Sequence, residues 1–153
     1  MIYNELWLMN DPLDDGTSPY TNKEYIEILK KYPAIMDIIL EDKNYGLFAI
    51  HLIGTNTKLA QYYIREQEVE NALNALNAAA KYAIWYDTQF QTLDTYTCLL
   101  LRDHSFGHVL TASNENQCLI LLHRLEESPF DSVREQPAFR KITEELQKYA
   151  KEL

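Results

Sequence analysis

The sequence predicts an all-α fold of stacked antiparallel helical hairpins with degenerate repeats, and three observations carry that prediction. Apolar residues recur at helical spacing over long stretches, most plainly Phe139, Ile142, Leu146 and Tyr149 near the end of the chain. Small residues fall where two helices would cross closely: Ala60 in one predicted helix and Ala72 in the next, with Tyr63 and Leu76 filling the space around the crossing. The 153 residues include only four glycines, as expected when long helices carry most of the chain.

Taken in order, Ile2, Tyr3, Leu6 and Trp7 give residues 1–9 a broad apolar helical face, and the Asp, Pro, Gly and Ser residues of 10–20 mark a loop. Thr21 and Glu24 have the spacing of a capping box, which starts a helical segment over 21–43. Pro33 lacks a donor and disfavours helical geometry in Tyr32, so a kink or break is expected there. Asn44 to Gly46 makes the next corner. Residues 47–86 read as the best-formed hairpin, with helices over 47–65 and 68–86 joined near Glu66 and Gln67. Residues 92–126 read as a degenerate hairpin. Thr95, Tyr96 and Thr97 favour strand, but the helical context decides for helix over 92–101; an irregular connector over 102–112 and a helix over 114–126 complete it. Phe130 and Val133 form a short apolar turn after Pro129. Pro137 suits the first turn of a closing helix over 137–152, where its missing N–H has no intrahelical partner to lose.

Net charge is −9, and no run of Lys and Arg is long enough to follow a phosphate backbone, so direct nucleic-acid binding by this chain is not expected. Asp11, Asp14 and Asp15 cluster in one loop, whereas later acids alternate with Lys and Arg as on a solvated surface. No apolar run approaches the ~20 residues of a membrane span. With no secretory leader and no zinc or redox spacing between Cys98 and Cys118, a cytoplasmic location is expected. His104 and His108 are four apart but lack a carboxylate or thiol in ligand spacing, so no metal and no cofactor is expected. A Cys98–His123 nucleophile pair would lie in apolar runs, where cysteine serves as a small core residue. No phosphate-binding loop, dinucleotide glycine pattern or nucleophile elbow occurs, and the expectation is a protein that is not an enzyme.

The hairpin resembles a tetratricopeptide repeat. Leu59, Ala60 and Tyr63 sit at the offsets of the L-G-x-x-Y element and Ala72, Leu76 and Ala79 at those of the second helix, with Asn56 where Trp is common and Ile84 where Pro is common. The implied architecture is a tetratricopeptide-like superhelix. On that template Thr57, Gln61, Ile64 and Arg65 face the concave side, where Gln61 and Arg65 suit a peptide backbone or a carboxylate and Ile64 an apolar contact. Tyr62, Trp85 and Tyr86 join them as candidate partner-binding residues, because amphipathic rings bury much area with one polar handle.

Longer blocks widen the resemblance. Glu41-Asp42-Lys43-Asn44-Tyr45-Gly46, Leu59-Ala60-Gln61-Tyr62-Tyr63, Ala79-Ala80-Lys81-Tyr82-Ala83, Tyr96-Thr97-Cys98-Leu99-Leu100, and an ending of the form L-E-x-x-x-F-D-x-V-R-x-x-P-x-F-x-x-I from Leu125 to Ile142 are similar to the C-terminal, tetratricopeptide-like region of bacterial helix-turn-helix regulators of the Cro/cI type. The resemblance implies the regulatory half of a transcriptional regulator, without its DNA-binding domain, that self-associates as a homodimer or senses a peptide, protein or small ligand. The competing expectation is a free-standing acidic interaction protein, an adaptor or an immunity-type inhibitor that masks a basic partner.

Overall fold

The computed structural model describes residues 19–106 and 114–153. The expected first helix over 1–9, most of the 10–20 loop, and residues 107–112 of the connector, His108 among them, lie outside the described residues. Among the described residues the structure is all-α, with packed helix–helix contacts and only isolated β-bridges in place of strands. None of its helices is long and apolar enough to cross a membrane.

Helix α1 spans Asn22–Ile39. Its start is the capping box expected from sequence: the Glu24 N–H donates to Thr21 Oγ1, and the Thr21 N–H donates to the Glu24 carboxylate at 2.8 Å. Pro33 lies inside this helix without breaking it. The reason is the buried stripe Tyr25, Ile26, Leu29, Tyr32 and Met36, which continues at helical spacing on both sides of the proline and packs one face of α1 throughout.

Helices α2 (Phe48–Arg65) and α3 (Val69–Gln89) form the central hairpin and the most extensive helix pair. Ala49 and Ala60 of α2 and Ala72, Ala79 and Ala83 of α3 are almost wholly buried, so the backbones approach without a side chain between them. Three polar residues are buried in α2, Thr55, Asn56 and Thr57; Asn56 Nδ2 donates to Leu52 O and Thr57 Oγ1 to Ile53 O, each at 2.8 Å. The turn between the helices is a Schellman motif. The Glu68 N–H donates to Tyr63 O, the Gln67 N–H to Ile64 O, and Gln67 takes a left-handed conformation with φ 62°.

The corner between α1 and α2 is held by a distant segment. Asn44 Nδ2 donates to Thr95 O at 2.9 Å, Thr97 Oγ1 donates to Asp42, and the Leu99 N–H donates to Glu41 Oε1 at 2.9 Å. Gly46 has φ +51° and lies against the Tyr96 ring, whose hydroxyl accepts from the Leu47 N–H. Two sequence blocks about 50 residues apart, Glu41–Gly46 and Tyr96–Leu100, are thus one joint.

The chain departs most from expectation after α3. A short 3-10 turn at Phe90–Thr92 replaces the helix expected over 92–101. Tyr96 N donates to His104 O and Asp103 N to Tyr96 O, with a bridge between Thr95 and Ser105, so residues 94–106 form a folded-back loop. Neither helix nor strand forms over 95–97, beyond the bridge at Thr95; the loop is fixed because it buries Tyr96, Cys98 and Phe106 in a second core with Tyr32, Met36, Leu40 and Leu52. The degenerate hairpin therefore keeps a single α-helix, α4, at Gln117–Leu125, shorter than 114–126. Its N-terminus is capped twice: Asn116 Oδ1 accepts from the Leu119 N–H, and Asp87 of α3 accepts from the Gln117 and Cys118 N–H groups at 3.0 and 2.8 Å.

A 3-10 turn over Ser128–Val133 buries Phe130 and Val133 completely, and helix α5 follows at Pro137–Gln147. Arg134 Nη2 donates to the carbonyls of Leu125, Glu126 and Glu127, capping the C-terminus of α4, and pairs with Asp131 at 2.8 Å. Helix α5 ends before the expected residue 152 because the tail is engaged elsewhere: Asn116 Nδ2 donates to Tyr149 O, Asn116 N to Lys151 O, and Leu153 N to Asn114 O.

Candidate functional site

Most of the contact surface expected on α2 is consumed by the fold. Thr57 is 1% exposed with its hydroxyl bonded inside its own helix, so no partner reaches it. Tyr62 is buried and stacks on Tyr25 with ring centroids 4.9 Å apart; it joins α1 to α2. Tyr86 is buried and stacks on Phe90 at 4.5 Å. Both rings are packing residues because each meets an aromatic from a neighbouring segment. Ile64 is half-buried against the main core. Gln61 is likewise half-buried, and Arg65, which lies over the Tyr62 ring at 5.2 Å in a cation–π contact, is the exposed member of the expected set on α2. Trp85 is half-buried and edge-on to Tyr45 at 5.1 Å, so it helps hold the α1–α2 corner against α3.

A different surface has the shape of a site. A groove of about 460 Å³ runs between α3 and α5. Ala80 and Ile142 form its buried floor, Leu73 and Ile84 its half-buried walls, and Ala138 the α5 side. It exists because α3 places a small residue, Ala80, between two large ones, and α5 sets Ala138 beside it. Ile84 lies eleven residue steps after Leu73, about 16 Å along the helix. Asn74, Asn77, Lys81, Lys141 and Glu145 form the rim. Glu145 is paired with Lys148, whereas Lys81 and Lys141 are exposed and make no ion pair among the described residues.

Burial, followed by the adjacent Asp87 carboxylate, pushes the Cys118 thiol far above its ordinary range and keeps it protonated. Cys98 is buried in the second core, and His123 is exposed on α4 beside Glu115 at 3.4 Å, so the imagined pair is not assembled. His104 is exposed in the loop with Nδ1 3.3 Å from Arg102 O. Burial lowers the His51 pKa and raises that of Tyr82 to about 12. Among the described residues no three His, Cys, Asp or Glu side chains cluster to hold a metal ion.

The Leu125–Ile142 block also resolves into structure. In the ending, Leu125, Phe130, Val133, Phe139 and Ile142 are core, Arg134 and Asp131 fasten the end of α4, and Pro137 opens α5. Comparison with protein-family models, with curated proteins and with solved structures finds no match for this chain. What the fold defines is an all-α domain of packed helices with an apolar, polar-rimmed groove between α3 and α5.

Proposed function

We propose that this chain is a non-enzymatic protein-interaction region, the regulatory half of a helix-turn-helix transcriptional regulator, and that its working surface is the groove between α3 and α5. The groove carries the reading: it is an apolar trough of about 460 Å³ with a polar rim, on two helices joined to different parts of the domain. Helix α3 belongs to the central hairpin, while α5 is tied to α4 through the Arg134 turn. An occupant touching both favours the arrangement of α5 against α3 that it fits better, and only that difference in affinity is transmitted to an attached domain. The −9 charge favours a second reading, a free-standing acidic protein that covers a basic partner with its surface.

Two measurements decide between them. A coding sequence upstream of Met1 that specifies a helix-turn-helix supports the regulator; its absence refutes that part. A photoreactive side chain at Asn77 in the whole protein should give a defined cross-link that Ala138→Trp, which fills the groove from an exposed position, suppresses. A cross-link undiminished by Ala138→Trp would remove the groove as the working surface.

A further inference from the structure

We propose that the groove between α3 and α5 receives an amphipathic α-helix of a partner protein whose apolar stripe is flanked by Asp or Glu, with Lys81 and Lys141 pairing with those carboxylates. The inference rests on the groove being a protein-binding surface and adds which kind of segment it selects.

Three observations specify the occupant. The first is backbone chemistry. Both walls are helices whose main-chain groups bond within themselves, so a strand laid between them would find no backbone ladder, only a few scattered rim side chains, for its row of amides and carbonyls. A helix arrives with its backbone already satisfied. The second is length: the trough runs about 16 Å along α3, the rise of about eleven residues or three helical turns, enough for apolar residues at i, i+4 and i+7 or i+8 to lie on Ala80 and Ile142 between Leu73 and Ile84.

The third is charge. Of the three charged rim residues, Glu145 already pairs with Lys148, whereas Lys81 and Lys141 stand ready to meet the flanks of the occupant. The whole chain carries −9 and repels an acidic partner at long range, so selection must come from contact pairs at the groove. An exposed ion pair changes affinity by about 1.5- to 5-fold, and reversing both lysines replaces two attractions by two repulsions, for about a tenfold loss or more.

The test uses the full chain and three labelled synthetic peptides of about 15 residues, long enough for four helical turns. One has a leucine stripe with glutamate flanks, one the same stripe with lysine flanks, and one glutamate flanks with serine in place of leucine. Binding is read by fluorescence anisotropy and located by amide chemical-shift changes. The expected result is that the Leu/Glu peptide alone shifts Leu73, Asn77, Ala80 and Ile142, and that the double variant Lys81→Glu, Lys141→Glu binds it about tenfold more weakly while gaining the Leu/Lys peptide. Both lysines are exposed, so the double variant tests contact without disturbing the core.

Groove binding by the glutamate- and lysine-flanked peptides with equal affinity would overturn the charge selection and leave the groove as a binding surface. No groove shifts with any peptide would overturn both. Groove shifts that depend on protein concentration without peptide, or that follow Trp7→Ala, would assign the groove to a second copy or to this chain's own residues 1–18, and would equally overturn the proposal.

Discussion

Replacing Gly46 by alanine tests the joint between the α1–α2 corner and the Tyr96 segment. The substitution adds one methyl group, at φ +51°, where a Cβ would lie 2.3 Å from Tyr96 Cε1 and 2.7 Å from its hydroxyl oxygen. A left-handed conformation costs a residue with a Cβ about 1–2 kcal/mol. The overlap forces the ring to move, and the strain of overpacking is about 1–3 kcal/mol. The ring is wedged between Phe48 and Phe106, with centroids at 5.6 and 4.7 Å, so it cannot yield freely. Moving it also breaks the 3.2 Å bond from Leu47 N–H to its hydroxyl, worth about 1 kcal/mol. Together these costs give a loss of about 3–6 kcal/mol, measurable by urea unfolding. The cause is separable with Tyr96→Leu as a background, where only the backbone cost of about 1–2 kcal/mol should remain. A single-variant loss below about 1 kcal/mol, or effects of the two substitutions that add within about 0.5 kcal/mol, would refute the close approach.

Three further outcomes are expected. Asp87→Ala strands the Gln117 and Cys118 amides and should cost about 1–3 kcal/mol, with faster hydrogen exchange at those two positions first; unchanged exchange there would exclude Asp87 as the cap of α4. Gln67→Gly relieves the left-handed residue of the Schellman turn and should raise stability by about 0.5–1 kcal/mol in denaturant titration, whereas a loss would mean that the side chain contributes more than the conformation costs. His51 has its pKa lowered by burial from 6.5, so the unfolded chain binds the extra proton first: its contribution is complete above about pH 6.5 and is lost as pH falls toward the folded value. The urea midpoint should therefore drop less between pH 7.5 and 5.5 in His51→Gln than in the native sequence, and identical drops would contradict the assignment.

Helix type was legible in the sequence wherever apolar spacing and capping chemistry agreed. Thr21 and Glu24 announce α1, Pro137 announces α5, and the small residues Ala60 and Ala72 announce the α2–α3 crossing. The reading failed over 92–101 because the local strand preference of Thr95 to Thr97 was outweighed by its neighbours, while the feature that fixes this loop is the Glu41–Gly46 joint about 50 residues away. It failed at Tyr62 and Tyr86 for a related reason: a tyrosine's exposure depends on whether another ring reaches it, and Tyr25 and Phe90 do. The groove was hidden because Ile142 reads as part of the packing stripe of the closing helix and no pattern in the sequence singles out Leu73; only the lateral placement of α5 beside α3 leaves space between them.

The edge-on contacts of Tyr45 with Trp85 and Tyr82, at 5.1 and 5.0 Å, give the domain an internal optical reporter. The chain has two tryptophans, Trp7 and Trp85, so Trp7→Phe leaves a single indole at the place where the α1–α2 corner meets α3. Tyrosine-to-tryptophan energy transfer in that variant reads whether the corner is seated on α3, and it does so without a label. Collapse of the joint on heating, or its loosening by a bound partner, becomes a change in emission that can be followed in real time.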